Sequence, residues 1–184
     1  MILEVMGRDA GHIALNSGIA GGADVILIPE IDYSLLSIAK HIENLKSQGR
    51  NHSLIVVAEA VKKEDGKKAF VKYVDGEVRL GGIGTYIGDE IAKITKAETR
   101  VTVLGHVQRG AQPTHRDRLI ASAFGIYAVD LIAKEKFNRI VVWQNRAVKD
   151  VNLDTIAGKS KTINKDDHLI TVAKGLGIYV GEID

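Results

Sequence analysis

The chain of 184 residues contains no cysteine. That excludes a disulfide framework and a thiolate metal site, and it suits a reducing, cytoplasmic setting. Charge of one sign is also scarce: 25 Lys and Arg face 23 Asp and Glu, a formal net charge of +2. The concentrated basic face that binds a nucleic-acid backbone is therefore missing, and no nucleic-acid partner is expected. The densest basic segment, Lys62 to Lys68, is broken by Glu64, Asp65 and Gly66 and reads as a solvated loop. No apolar run approaches the roughly 18 residues of a membrane-spanning helix, so no membrane partner is expected. Glu4, Arg8 and Asp9 interrupt the N-terminal apolar run too early for a signal peptide. The six histidines are scattered, with no pair at helical ligand spacing, so no metal site is expected either.

What is present is a globular composition, 45% hydrophobic and 26% charged, enough for one domain with a core or two small lobes. Residues 2 to 6 read as a short strand and Gly11 to about Ile19 as a helix closed by Gly21-Gly22. Val25 to Ile28 is a fully apolar strand stopped by Pro29. Leu35 to Gln48 is an amphipathic helix with Leu35, Ile38, Ala39, Ile42 and Leu45 on one face. Leu54 to Ala58 is another apolar strand, followed by Glu59. Apolar strands alternating with helices predict an α/β fold, a parallel sheet with helices on both faces. Residues 69 to 80 predict a hairpin with a tight Asp75-Gly76 turn, and the glycines from Gly81 open a helix to about Ala97. Arg116 to Lys134 predicts a long helix and Arg139 to Trp143 a last strand; from Val151 the pattern assigns no element.

Arg100 to Gly110 carries the most chemistry. Val101 to Leu104 reads as a buried strand, with Arg100, His106 and Arg109 around its ends. Two guanidinium forks and an imidazole suit a sugar phosphate, although solvated charges at a strand end have the same spelling. Two look-alikes are set aside. Gly82 to Gly88 is one residue too long for the dinucleotide fingerprint and reads as a helix-opening turn. His115-Arg116-Asp117 mimics a kinase catalytic loop but sits at a helix start, without the other kinase motifs.

Taken together, Met6-Gly7-Arg8, Ala20 to Glu30, Val56 to Glu59, Arg100 to Gly110, Pro113, Asp117-Arg118 and Gln144-Asn145 resemble the 6-phosphofructokinase family in order and spacing. The resemblance weakens after about residue 150. It implies a phosphofructokinase-like fold with 1–107 as the fructose 6-phosphate-binding domain, 108–150 as a helix and strand crossing into a donor domain, and 151–184 as a C-terminal tail. It further implies that Met6, Gly7 and Arg8 line the sugar site, with Arg8 also stabilising charge on the transferred phosphoryl group. Glu59 accepts from sugar hydroxyls, and His106 and Arg109 bind the 6-phosphate. Arg100 joins them from a neighbouring subunit of a homo-oligomer. In some members, positions matching Asp24 and Arg50 bind a nucleotide effector; Gln48 replaces a basic residue there, and Ala111 replaces a glycine of the phosphate loop.

Other readings of the same residues stay open: Arg8 and Arg109 as structural ion-pair partners, Glu59 as a helix cap, His106 as a core imidazole. The family's glycine-rich donor loop, which binds ATP or pyrophosphate with Mg²⁺, and its Thr-x-Asp base precede Met-Gly-Arg; here five residues precede Met6. The expectation is therefore the acceptor-binding C-terminal part of a phosphotransferase, lacking the N-terminal donor-binding half, binding no cofactor itself and inactive alone. The alternative is a non-catalytic sugar-phosphate-binding or regulatory module. A further expectation is that Leu119, Ile126, Val141 and Trp143 expose apolar surface, compensated by swapping, oligomerisation or repacking.

Overall fold

A computed structural model describes residues 1–72, 74 and 76–182. The chain divides into two compact units, one of Met1–Arg109 with the residues from Lys161 onward, the other of Gly110–Ser160.

In the first unit, β1 (Ile2–Val5), β2 (Val25–Leu27), β3 (Ile55–Ala58) and β6 (Val101–Val103) form a parallel sheet in the order β2-β3-β1-β6. Helices α1 (His12–Ala20), α2 (Leu35–Ser47) and α3 (Ile83–Thr95) connect them, and β4 (Phe70–Lys72) pairs antiparallel with β5 (Val78–Leu80) before α3. Asp75 of the expected hairpin turn lies outside the described residues.

The continuous apolar runs at 25–28 and 55–58 are explained by register. Leu3, Val56 and Ile26 stand side by side on one face, and Ile26 meets Gly18 of α1. Ile2 and Glu4 point to the other face, against Gly88 and Gly84 of α3. Both faces are covered, so the central strands are apolar on both sides apart from Glu4, whose carboxylate is met by the start of α3. Each fully buried Ile or Leu, such as Ile26, Leu27 and Ile38, contributes about 1.5–3 kcal/mol of transfer free energy.

Gly84 and Gly88, part of the run that resembles a dinucleotide fingerprint, let α3 lie close on the sheet. A Cβ on either would come within 3.0–3.2 Å of Val101. At the start of α3 sits a buried carboxylate, Glu4, which accepts hydrogen bonds from Gly82 N (3.0 Å) and Gly84 N (2.8 Å). It satisfies donors that a helix N-terminus leaves free, and Gly82, at φ 84°, supplies the left-handed turn.

Two expectations need correction. The strand at 101–104 is not buried: β6 is an edge strand with β1 as its neighbour, and Val103 is 54% exposed. Val101 packs inward against the two glycines of α3, and Leu104, just past β6, is partly buried against the core. The residues after 150, which the pattern left without an element, supply core. Ile163, Ile170, Ala173, Ile178 and Val180 are buried, and α5 (His168–Gly175) packs on α1. Tyr179 O accepts from Ile26 N (2.8 Å) and Tyr179 N donates to Asp24 O (3.0 Å), which continues the sheet beyond β2. The Tyr179 phenol is pushed up to about 12, first by burial.

In the second unit, α4 (His115–Ala133) starts with a capping box: Asp117 N donates to Thr114 Oγ1 and Thr114 N donates to Asp117 Oδ2. That is the role of the kinase-like His-Arg-Asp spelling. β7 (Arg139–Gln144) pairs antiparallel with β8 (Ala147–Asn152) in a hairpin. Asn145 and Arg146 turn it, with φ of 51° and 61°; both positive values suit a two-residue hairpin turn. Tyr127 on α4 donates to Asp150 on β8, and Arg139 on β7 pairs with the same carboxylate. These partners, the Tyr127 bond first, hold the Asp150 carboxyl below the usual carboxylate range. Leu119, Ile126 and Trp143 are exposed as expected; Val141 is not, because hairpin pairing turns it half-buried beside α4.

Candidate functional site

Parallel strands in an open α/β sheet end in loops on one edge, and ligands bind there. Three such ends lie side by side in the strand order β3-β1-β6. β3 ends at Glu59, β1 at Met6-Gly7-Arg8, and β6 at the 3₁₀ turn Gly105–Arg109, which carries His106 and Arg109.

Ladder hydrogen bonds run out at this edge. Glu59 N still donates to Val5 O (2.9 Å) and Leu104 N to Glu4 O (3.1 Å). The next two amides of the middle strand are taken by side chains. Met6 N donates to Gln108 Oε1 at 2.7 Å and Gly7 N donates to Glu59 Oε1 at 3.2 Å. Gly7 has no room for a side chain: a Cβ would lie 2.9 Å from Ala10 O and 3.0 Å from Ala58 Cβ. Arg8, His106 and Arg109 are exposed, and Met6, Glu59 and Gln108 are half-buried. The edge thus offers guanidinium and imidazole groups to solvent beside an anchored carboxylate. Guanidinium and imidazole groups can donate to an anion, and a carboxylate can accept from hydroxyls.

Behind it, Glu30 follows β2 and clamps the β1–α1 loop to the returning tail. Both of its carboxylate oxygens accept from Gly11 N at 3.1 Å, and Oε1 also accepts from Ile163 N at 3.0 Å. Sequence reasoning gave Gln108 and Glu30 no role, although both stand within the motifs that carry the resemblance.

The remaining expected residues lie at the opposite edge of the sheet, before the strands rather than after them. Arg100 precedes β6, is exposed, and pairs with Glu98 at 2.7 Å. Asp24 precedes β2, is buried, and accepts from Leu54 N (2.7 Å) and from Arg50 (2.9 Å). Asp24 and Arg50 are therefore together, and each neutralises the other. They border a cleft of about 570 Å³ whose walls include His41, Asn44 and Gln48. Among the described residues no group of three or more His, Asp or Glu could hold a metal ion, and no helix is long and apolar enough to cross a membrane.

The phosphofructokinase family model matches residues 1–132. An ATP-dependent 6-phosphofructokinase 1 of Nostoc sp. strain PCC 7120 is 54% identical over 182 residues, covering 99% of this chain and 51% of the relative. The enzyme of the same name from Synechocystis sp. strain PCC 6803 is 51% identical over 181 residues, covering 98% and 50%. A crystal structure of a pyrophosphate-dependent phosphofructokinase from Nitrosospira multiformis superposes with a TM-score of 0.72, covering 98% of this chain and 48% of that one. At 21% identity that likeness is one of fold. The chain spans about half the length of the curated relatives it matches. It belongs to the phosphofructokinase family.

Proposed function

We propose that this chain is the acceptor-binding part of a 6-phosphofructokinase, holding fructose 6-phosphate for phosphoryl transfer to its 1-hydroxyl. The observation that carries this reading is the convergence of Met6-Gly7-Arg8, Glu59 and the His106–Arg109 turn on one edge of the sheet. Glu59 keeps Oε1 on Gly7 N, which orients Oε2 to accept from a sugar hydroxyl. Arg109 and His106 face solvent as donors for the dianionic 6-phosphate. Arg8, on the same loop as the anchored Gly7, offsets charge on the transferred group. Phosphoryl transfer requires mainly positioning and charge stabilisation, and these residues supply the acceptor's share of both.

These residues account for the acceptor's share only, and the chain covers 51% of the Nostoc relative's length. Relatives at 54% and 51% identity are named ATP-dependent, which favours ATP over pyrophosphate as the donor. Arg100, free of the site in its own chain, is assigned to a neighbouring copy's phosphate, and the exposed face of α4 to self-association.

Calorimetric titration with fructose 6-phosphate tests the reading. The chain is expected to bind it, and Arg109→Ala to weaken binding about ten- to a hundredfold, the worth of charge-assisted hydrogen bonds. Equal affinity in the variant rejects the assigned role of Arg109. Incubated with ATP or pyrophosphate and Mg²⁺, the purified chain is expected to form no fructose 1,6-bisphosphate. Donor-dependent product would show that the donor site is here after all.

A further inference from the structure

Gln108 sits between the two groups assigned to the 6-phosphate, on the turn Gly105–Arg109, yet its side chain reaches across to β1. The bond joins residues 102 positions apart in sequence, at 2.7 Å. Because Met6 N–H is a donor, the facing atom of the Gln108 amide must be its oxygen, which settles the orientation of the group. β1 lies between β3 and β6, and its last ladder bonds are made by Glu4 O and Val5 O. Beyond them, the chain from Met6 to Arg8 is steered by two side-chain acceptors, Glu59 from the β3 side and Gln108 from the β6 side.

We propose that Gln108 is a positioning residue, which sets the Met6-Gly7-Arg8 turn against the turn that presents His106 and Arg109. Glu59 fixes Gly7 from one flank only. With that bond alone the loop retains a hinge at Met6, and Arg8, two residues on, swings with it. The Gln108 bond removes the hinge and ties it to the segment holding the phosphate cations. The span between the cation at the transferred group and those at the 6-phosphate is then set by one short bond, so it matches one length of phosphorylated acceptor. This inference rests on the acceptor-binding reading.

The test uses the whole chain with two substitutions, Gln108→Met and Gln108→Glu. Methionine keeps the length of the side chain and removes the carbonyl acceptor; glutamate keeps an acceptor. Amide hydrogen exchange at Met6 and Gly7 is read by NMR, and fructose 6-phosphate affinity by calorimetry. In Gln108→Met, Met6 exchange is expected to rise roughly tenfold and affinity to fall about three- to tenfold, while exchange in β2 and β3 stays at the parent level. In Gln108→Glu, which keeps an acceptor for Met6 N, Met6 protection is expected to return to the parent level.

Unchanged Met6 exchange in Gln108→Met overturns the proposal, and so does faster exchange with unchanged affinity. A loss of protection throughout the sheet also overturns it, in favour of a purely structural bond. A parent chain that does not bind fructose 6-phosphate rejects the acceptor-binding reading instead. The Met6 exchange then still decides whether Gln108 holds the turn.

Discussion

Gly11→Ala is expected to destabilise the first unit by about 3 kcal/mol or more, the upper range for forcing atoms into a packed core. An added Cβ would lie 2.2 Å from Ile28 Cγ2, 2.3 Å from Ile28 Cβ and 3.1 Å from Glu30 Oε2. Ile28 is fully buried and β-branched, so it has no rotamer to retreat to. Moving Gly11 instead breaks its bonds to Glu30, the carboxylate that also receives Ile163 N from the tail. One methyl group therefore disturbs the loop after the Met6–Arg8 turn, the end of β2 and the returning tail together. Against a total of about 5–15 kcal/mol for an ordinary domain, that is a large share. Gly125→Ala provides the opposite control. Its Cβ would meet nothing within 4 Å inside α4, and the change is expected to stabilise by about 0.5–1 kcal/mol. Denaturant unfolding read by amide exchange in β2 and in α4 separates the two units. A Gly11→Ala chain within 1 kcal/mol of the parent would refute this account of the packing.

Gly11 also marks how far the sequence could be read. The runs at 25–28 and 55–58 are continuous and apolar because both faces of the sheet are covered, and that pattern is local. It was enough for the parallel sheet, α2 and the helix opened by Gly82. β6 misled because Val101 to Leu104 has the same spelling as a central strand; its edge position depends on the strand order, which residues 101–104 do not contain. The hairpin of β7 and β8 escaped because Asn145-Arg146 lacks the glycine that marks most tight turns, although both residues adopt positive φ. The tail escaped because its buried side chains, Ile163, Ile170, Ile178 and Val180, are spread among polar residues and gain meaning only against α1 and β2.

The site divides in the same way. Met6 to Arg8, Glu59, His106 and Arg109 were legible as types suited to a sugar phosphate in a recognisable order. Gln108, Glu30 and Glu4 were not, because each works by accepting from backbone amides 19 to 133 residues away. A neutral amide or a lone carboxylate carries no spacing signal for that task. The Asp24–Arg50 pair is intermediate. The resemblance joined the two as an effector site, and the fold joins them by an ion pair.

Self-association of the chain at micromolar concentration is the other large effect expected, and Leu119→Lys with Ile126→Lys is expected to abolish it. α4 is apolar on two sides. Ile120, Tyr127 and Leu131 turn toward the β7–β8 hairpin, and Leu131 is buried. Leu119, Ile126, Val129 and Ile132 turn away and are 67%, 68%, 64% and 63% exposed. A helix that is apolar nearly all round belongs in an interior, so the outward stripe is surface this unit alone does not cover. Gly110–Ser160 holds one α-helix, one hairpin and a single 3₁₀ turn at Leu153–Thr155, too little to bury a second face within itself. A second copy is the partner always available, and twofold pairing through one helix stripe is self-complementary. The two lysines place charge at the centre of such a contact, where desolvation without a partner charge is costly. Both positions are exposed in the single chain, so its stability is expected to stay within about 0.5 kcal/mol. Sedimentation equilibrium across a range of concentrations reads the outcome. A parent chain that remains a single monomeric species throughout, or a double variant that associates as the parent does, would show that this stripe is not the contact.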